Sequence, residues 1–398
     1  MNNILNLRPT WAKINLDSLK NNFSIIRKIA GPHCEIMGVV KANAYGHGAH
    51  IISKQLEYHG VDFLGVANIG EAISLRAAKI TKPILVFGYT PVTFANSLYK
   101  YNITQAIFDK DYAHSLSSQA KKEGITISTH LKIDTGMNRL GFKIQPNSNI
   151  IKDLLYTYQL PNITVDGIFT HFAVADGSTS KDIEYTNMQF KNFTNICHEL
   201  SLFGINLGIR HCCNSAATIT YPEMHLDMVR PGILLYGPYI KNINKNLDFK
   251  PVMTLNSQVS MIKDLYKGQS IGYGLSFTAP KDMKIAIVAI GYADSYKRSL
   301  SNLGEIYINE IPAKVIGKIC MDQIAVDITD LDNISSGSNV VIWGENGPDL
   351  NYLSKLINTI AYELLCGVNL RVTRVYFKKE KEYYLSDYIT NSEYTITN

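Results

Sequence analysis

The stretch Glu35-Ile36-Met37-Gly38-Val39-Val40 is a nearly continuous apolar run that stops at the polar turn Lys41-Ala42-Asn43-Ala44-Tyr45-Gly46. A run of this kind, apolar rather than alternating, suits a strand buried on both faces. Seven further runs follow, each ending at a polar or glycine-rich turn. They begin near Asp62 (DFLGVA), Pro83 (PILVFG), Ile103 (ITQAIF), Thr129 (THLKID), Asp166 (DGIFTHF), Gly208 (GIRHCC) and Asp227 (DMVRPGI). Between several of them the apolar residues take helical spacing, as at Ile51, Ile52 and Leu56, or Ala72, Leu75 and Ala78. Buried strands alternating with helices indicate a parallel sheet, and eight such units predict an α/β fold of the (β/α)8 barrel type. The last unit is cramped. The alternative is an open doubly wound sheet, but no G-x-G-x-x-G follows the first run.

Beyond Phe249 the texture changes. Val259 to Ile262, Lys284 to Ile290, Val315 to Ile319, Ile324 to Ile328 and Val340 to Trp343 follow one another with no helical pattern between them. The chain therefore divides into a barrel over 10–248 and a mostly β domain over 249–398. Within the second, Ile306 to Ile308 and Ile311 to Ala313 flank Asn309-Glu310 as a hairpin. One helix is expected, with Leu353, Leu356, Ile357, Ile360, Ala361 and Leu364 on one face and Pro348-Asp349 at its start. The tail beyond Tyr384 is polar and irregular.

Composition excludes several classes. The 398 residues are 46% hydrophobic and 18% charged with a net charge of +5, too little for a polybasic face, so no nucleic-acid partner is indicated. The densest basic cluster, Lys378 to Lys381, is interrupted by Glu380. No leader peptide and no bilayer-spanning run is read, so a cytoplasmic protein without membrane contact is expected. The six cysteines, Cys34, Cys197, Cys212, Cys213, Cys320 and Cys366, form no C-x-x-C, which points to reduced thiols and no metal site.

A barrel of this kind works from the C-terminal ends of its strands. The polar residues there are Lys41, Asn43, Tyr45, Lys132, Asp134, Arg139, His171, Asn214, Ser215, Arg230, Gly232 and Tyr236. Two lysines, two arginines and small polar donors at one mouth suit a phosphate or carboxylate. On position alone Lys41 is either a reactive amine, activated by desolvation and neighbouring cations, or a lysine snorkelling to the rim. His171 on position alone reads as a satisfied buried histidine at a strand end.

The string Val40-Lys41-Ala42-Asn43-Ala44-Tyr45-Gly46-His47-Gly48 resembles the cofactor-lysine segment of the alanine racemase family. His130 to Gly141 (HLKIDTGMNRLG) resembles that family's second signature. Thr170-His171-Phe172-Ala173, Asn214-Ser215-Ala216-Ala217, Val229-Arg230-Pro231-Gly232-Ile233, Tyr236-Gly237 and Gly272-Tyr273-Gly274 match in order. So do Gly291-Tyr292-Ala293-Asp294, Cys320-Met321-Asp322-Gln323 and Tyr362-Glu363-Leu364-Leu365. Two positions depart from the common pattern, Asn138 before Arg139 and Ser295 after Asp294.

The resemblance implies an isomerase that interconverts L- and D-alanine and holds pyridoxal 5′-phosphate covalently on Lys41. Lys41 serves as base on one face of the substrate and Tyr273, from the other chain of a homodimer with shared sites, on the opposite face. A phenol is a weak base unless cations favour its anion, and His171, Arg230 and Arg298 match residues placed to do so. Arg230 faces the pyridine nitrogen, where a group that stays protonated limits long-lived carbanion character. Arg139 binds the substrate carboxylate; Lys132 matches a position carbamylated in some relatives, where the resulting carboxylate orients that arginine, the alternatives being an unmodified lysine or a chloride nearby. Tyr45, Asn214, Ser215, Gly232, Ile233 and Tyr362 hold the cofactor, the phosphate above all. Tyr292 and Met321 contact substrate, with Asp322 in support. The bulk of Tyr362 favours a methyl side chain. The family's role is to supply D-alanine for peptidoglycan. Two alternatives share the architecture in whole or part: an amino-acid decarboxylase, which needs an acid where Arg230 stands, and a non-catalytic cofactor carrier, which resembles a lone barrel.

Overall fold

The computed structural model describes residues 9–144, 150–240, 246–379, 381–387 and 392–395. The chain forms two compact units. One comprises Lys20–Ala44 and Ala49–Phe249; the other comprises Met1–Leu19, Tyr45–Gly48 and Lys250–Asn398.

The first unit is the barrel. Strands Glu35–Val39, Phe63–Val66, Ile84–Val86, Thr104–Ile107, Ile127–Asp134, Ile163–Phe169 and Ile209–His211 pair in chain order, all parallel. The eighth, Met228–Val229, pairs with the first, Met228 opposite Glu35. The ring closes where Asp227 N–H donates to Arg210 O (3.1 Å) and Arg230 N–H to Cys213 O (2.9 Å). Every apolar run is a strand, and the cramped last unit is a strand of two residues. Met37, Leu85, Ala106, Phe169 and Met228, from five strands, fill the interior with Phe63, Phe87 and Ile209 beside them. This double burial explains why the runs are apolar rather than alternating.

Helices follow the strands with clear starts. Asn68 caps Ile69–Ala77 by accepting from Glu71 N–H, and Asp109 caps Lys110–Glu123 by accepting from Tyr112 N–H. Thr179 and Asp182 form a capping box at the start of Ser180–Leu202.

The second unit is built on a sheet of ten strands. Its centre is the long strand Met253–Leu265, which pairs with Trp11–Asn15, Met283–Val288 and Asn339–Trp343. The hairpin forms as expected: Glu305–Ile308 and Ile311–Ile316 are antiparallel, with Asn309 (φ 48°) and Glu310 (φ 68°) in the two-residue turn.

Three expectations are corrected. Trp11–Asn15, inside the range read as barrel, pairs instead in this sheet, antiparallel to Met253–Leu265 and parallel to Thr373–Lys378. The single helix is two, Leu350–Leu356 and Ala361–Cys366, because Asn358 takes a left-handed conformation (φ 53°) among β-branched Ile357, Thr359 and Ile360. Asp349 does start the first of them, accepting from Asn351 N–H. The tail is not irregular throughout: Lys381–Asp387 and Ser392–Thr395 are paired antiparallel strands, while 388–391 and 396–398 lie outside the described residues. The reading of the first residues as no leader concerns mostly 1–8, also outside them. All six cysteines are free thiols. Among the described residues no helix is long and apolar enough to cross a membrane.

Candidate active site

Lys41 follows the first barrel strand and opens a turn that is left-handed. Ala42, Asn43 and Ala44 lie near φ 53°, ψ 50°, and Tyr45 at φ 52°. Such a conformation costs an L-residue about 1–2 kcal/mol, so surrounding bonds must impose it. In the barrel unit Glu71 accepts from Ala42 N–H through Oε1 and from Ala67 N–H through Oε2, both 2.7 Å. Asn43 Oδ1 accepts from Ala49 N–H (2.8 Å). The Asn43 Nδ2 group is buried without a hydrogen-bond partner. In the β-rich unit, Tyr376 Oη donates to His47 O (3.0 Å), and a Cβ on Gly46 would meet Leu365 O at 2.2 Å. Glycine is required there and at Gly48, where a Cβ would overlap Tyr376 Oη.

Arg230 is 4% exposed and directs its fork at neutral acceptors. Nη1 donates to His211 Nδ1 (3.0 Å); Nη2 donates to Thr170 O (2.8 Å), Cys212 O (3.2 Å) and His171 Nδ1 (3.3 Å). None of these bonds uses Nε–H. Burial lowers the guanidinium to about 10, which still leaves it protonated at neutral pH. Arginine only donates, so Nδ1 of both histidines accepts. His211 then carries its proton on Nε2 and donates to His130 Nδ1 at 2.9 Å. Burial drives the His130 ring down to about 4 and holds His171 and His211 well below their ordinary value, with Arg230 adding to each. All three rings are neutral at physiological pH. His130, His211 and Glu71 were not singled out from sequence. The only available signal was that both histidines fall in quoted strand runs.

Lys132, 5% exposed at the end of its strand, is lowered to about 8 by burial and then by Arg139, Arg230 and Lys41, with Asp134 opposing. The same four cations, Arg230, Arg139, Lys132 and Lys41, act on His171. Asp134 is the one acid in this set, and its Oδ1 accepts from Gly136 and Asn138 N–H at 3.1 and 3.0 Å, shaping the loop that leads to Arg139.

Ser215 and Ile233 open short helices, Ser215–Thr220 and Ile233–Tyr236, where first-turn N–H groups lack partners within the helix. Ser215 Oγ accepts from Gly232 N–H (2.7 Å), so that amide, expected to face an anion, is directed at the serine. The Asn214 side chain caps its helix by accepting from Ala217 N–H (3.0 Å). Tyr236 Oη donates to Val39 O (3.0 Å), bracing the strand before Lys41.

The remaining candidates lie in the β-rich unit. Tyr45 and Tyr362 pair with ring centroids 6.1 Å apart, and burial pushes the Tyr45 hydroxyl far up. Tyr292 N–H donates to Cys320 O (3.0 Å) and Ala293 N–H to Met321 O (3.1 Å), which brings Tyr292 and Met321 side by side. Arg371, also missed from sequence, spans both segments, donating to Asp294 Oδ1 (2.9 Å) and Asp322 Oδ1 (2.6 Å). Tyr273 (69%), Met321 (52%) and Tyr292 (40%) are exposed, as is Arg298 at the start of a 3-10 turn. Among the described residues no cluster of His, Cys, Asp or Glu could hold a metal ion.

Fold and site together define a protein of the (β/α)8-barrel class joined to a mostly β domain, with Lys41, Lys132, Arg139 and Arg230 clustered at the barrel mouth. The family model for the alanine racemase N-terminal domain matches residues 14–240, and that for the alanine racemase C-terminal domain matches 252–376. Alanine racemase 1 of Clostridium acetobutylicum is 42% identical over 388 residues, 96% of this chain and 99% of that protein. The solved alanine racemase of Clostridium difficile 630 superposes with a TM-score of 0.90 at 38% identity, covering 96% of this chain and 99% of that one. The alanine racemase of Bartonella henselae, solved with covalently bound pyridoxal phosphate, gives 0.82 at 27% identity over 93% of this chain and 99% of that one. The chain belongs to the alanine racemase family, whose members are isomerases.

Proposed function

We propose that this protein interconverts L- and D-alanine with pyridoxal 5′-phosphate on Lys41, acting as a homodimer in which Tyr273 of the second copy completes each site. The observation that carries the reading is the charge balance of the barrel mouth. Lys41, Arg139 and Arg230 act on both Lys132 and His171, Lys132 acts on His171 as well, and Asp134 opposes the cations at Lys132. A dianionic phosphate and a substrate carboxylate would complement that positive charge, so the residues fit this cofactor.

The bound cofactor withdraws electrons from the substrate α-carbon and so acidifies its C–H bond. The chain's own residues do the rest. Lys41, its amine released when the substrate amine takes its place, would remove or return the proton on one face, and the Tyr273 phenol of the second copy would serve the other. The exposure of Tyr273, Tyr292 and Met321 in the single chain supports their use by a second copy. Arg139 grips the substrate carboxylate as a fork. Arg230, whose bonds to the two histidines and two carbonyls use Nη1 and Nη2, would hold the ring nitrogen by a hydrogen bond without giving up its proton. Ser215 and the Ile233 amide receive the phosphate, and family correspondence assigns Tyr45 and Tyr362 to it as well.

The test is incubation with L-alanine and pyridoxal phosphate in deuterated water. D-Alanine formation with α-deuterium incorporation is the expected result, and Tyr273→Phe should lose most of the rate. Intact L-alanine carrying no deuterium, with cofactor bound, would remove alanine as substrate.

A further inference from the structure

Gln189 lies in the middle of the helix Ser180–Leu202 and has been given no chemical role above, yet it is fully buried and both ends of its amide are hydrogen-bonded. Nε2 donates to His171 O (3.1 Å) and to Thr135 Oγ1 (3.2 Å), while Oε1 accepts from Ala173 N–H (2.9 Å). Thr170 Oγ1 donates to Ile133 O (2.9 Å), so in the 2.8 Å contact between the two threonines it is Thr135 that donates. A single directional chain therefore runs from the Gln189 amide through Thr135 and Thr170 to Ile133. One turn earlier on the same helix face, Tyr185 Oη donates to Gly136 O (2.8 Å). Gly136 stands at φ 140°, where a Cβ would meet that hydroxyl at 2.7 Å.

These contacts meet two segments at once. Thr135 and Gly136 begin the loop that presents Arg139; Thr170 to Ala173 carries His171 and the carbonyl on which Arg230 Nη2 rests. We propose that Gln189 is a positioning residue for the reaction. It ties the Arg139 loop and the His171 segment to one helix, so the carboxylate-binding arginine and the Arg230–His171 pair keep a common register. The inference rests on the racemase reading for its kinetic consequence but not for its structural one. Only an amide supplies two donors and one acceptor here. An aliphatic side chain breaks all three bonds, and a carboxylate, an acceptor only, cannot donate to His171 O or to Thr135 Oγ1.

The experiment compares full-length wild type, Gln189→Leu and Gln189→Glu. In Gln189→Leu we expect kcat for L-alanine to fall about tenfold and KM to rise about fivefold. Pyridoxal phosphate binding, titrated by absorbance, should stay within threefold. Hydrogen–deuterium exchange should quicken in peptides covering Thr135–Arg139 and His171–Ala173 and nowhere else in the barrel. In Gln189→Glu a new ionisation should enter the pH profile, with activity recovering toward acid, because only the protonated carboxyl can donate. A residue that merely packs would not introduce that titration. Unchanged kinetics with only a lower melting temperature, or unchanged exchange in both segments, overturns the proposal. If wild type itself does not racemise alanine, the function reading has failed, and the exchange result still decides the role of Gln189. Should the leucine variant not fold, the glutamate variant carries both measurements.

Discussion

Arg230 donates through Nη1 to Nδ1 of His211 at 3.0 Å, with no carboxylate among its hydrogen-bond acceptors. A buried cation held by neutral rings keeps its charge available for a ligand. On the proposed reading, Arg230→Glu removes the group that stays protonated and would put an acid opposite the cofactor's ring nitrogen. Racemisation should fall by at least a hundredfold, and pyruvate from side transamination should rise, read by coupling to lactate dehydrogenase. A variant that loses racemisation with no gain in pyruvate would refute this role for Arg230.

His130, His171 and His211 predict how stability depends on pH. All three titrate below their unfolded value of 6.5. Between the folded and unfolded values the unfolded chain holds more protons, so stability is full above pH 6.5 and declines as pH falls. Each ring contributes a slope of up to about 1.4 kcal/mol per pH unit. Urea melts at pH 7.5, 6 and 5 should show this decline, less steep in His130→Asn. Equal midpoints from pH 7.5 to 5 would contradict neutral burial of these rings.

Lys132 is lowered to about 8 beside three other cations, so an appreciable fraction is the neutral amine at neutral pH. A neutral amine next to Arg139 is poised to take up carbon dioxide as a carbamate, whose charge the cluster would stabilise. Protein equilibrated with 13C-bicarbonate should give a carbamate carbon resonance that is absent from Lys132→Ala. No difference between the two spectra would leave Lys132 as an unmodified amine.

Arg374 is fully buried and donates five hydrogen bonds to the carbonyls of Gly46, Val368, Asn369 and Val372. Arg374→Met strands four acceptors and should cost roughly 3–5 kcal/mol. Gly46→Ala drives a Cβ to within 2.2 Å of Leu365 O at φ 82° and should be at least as damaging. Chemical denaturation measures both. A loss under 1 kcal/mol in either would mean that the segment Tyr45–Gly48 relaxes freely.

The barrel was legible because double burial writes apolar runs into the chain at each strand. The hairpin was legible because Asn309-Glu310 separates two apolar segments by two residues. Other features were not. Trp11–Asn15 alternates in exposure like any sheet strand, and nothing local says that its partners are Met253–Leu265 and Thr373–Lys378. The helix after Asp349 kept its apolar spacing through Asn358, where the backbone turns left-handed. In the barrel, Lys41 and Arg230 stood out as cations at strand ends and Arg139 in the loop after one, whereas His130, His211, Glu71 and Gln189 act through bonds to other residues; in the β-rich unit Arg371 does the same.

The sequence by itself determined the succession of barrel strands, the change from barrel to β-rich texture, and the family, because apolar periodicity and motif order are properties of neighbouring residues. Only the tertiary structure decided which groups are charged and which way they point. The neutrality of His211, the fork of Arg230 and the hydrogen-bonded amide of Gln189 depend on distances between residues 16 to 81 positions apart. Closing the barrel sets those distances, and burial there makes each bond decide a protonation state.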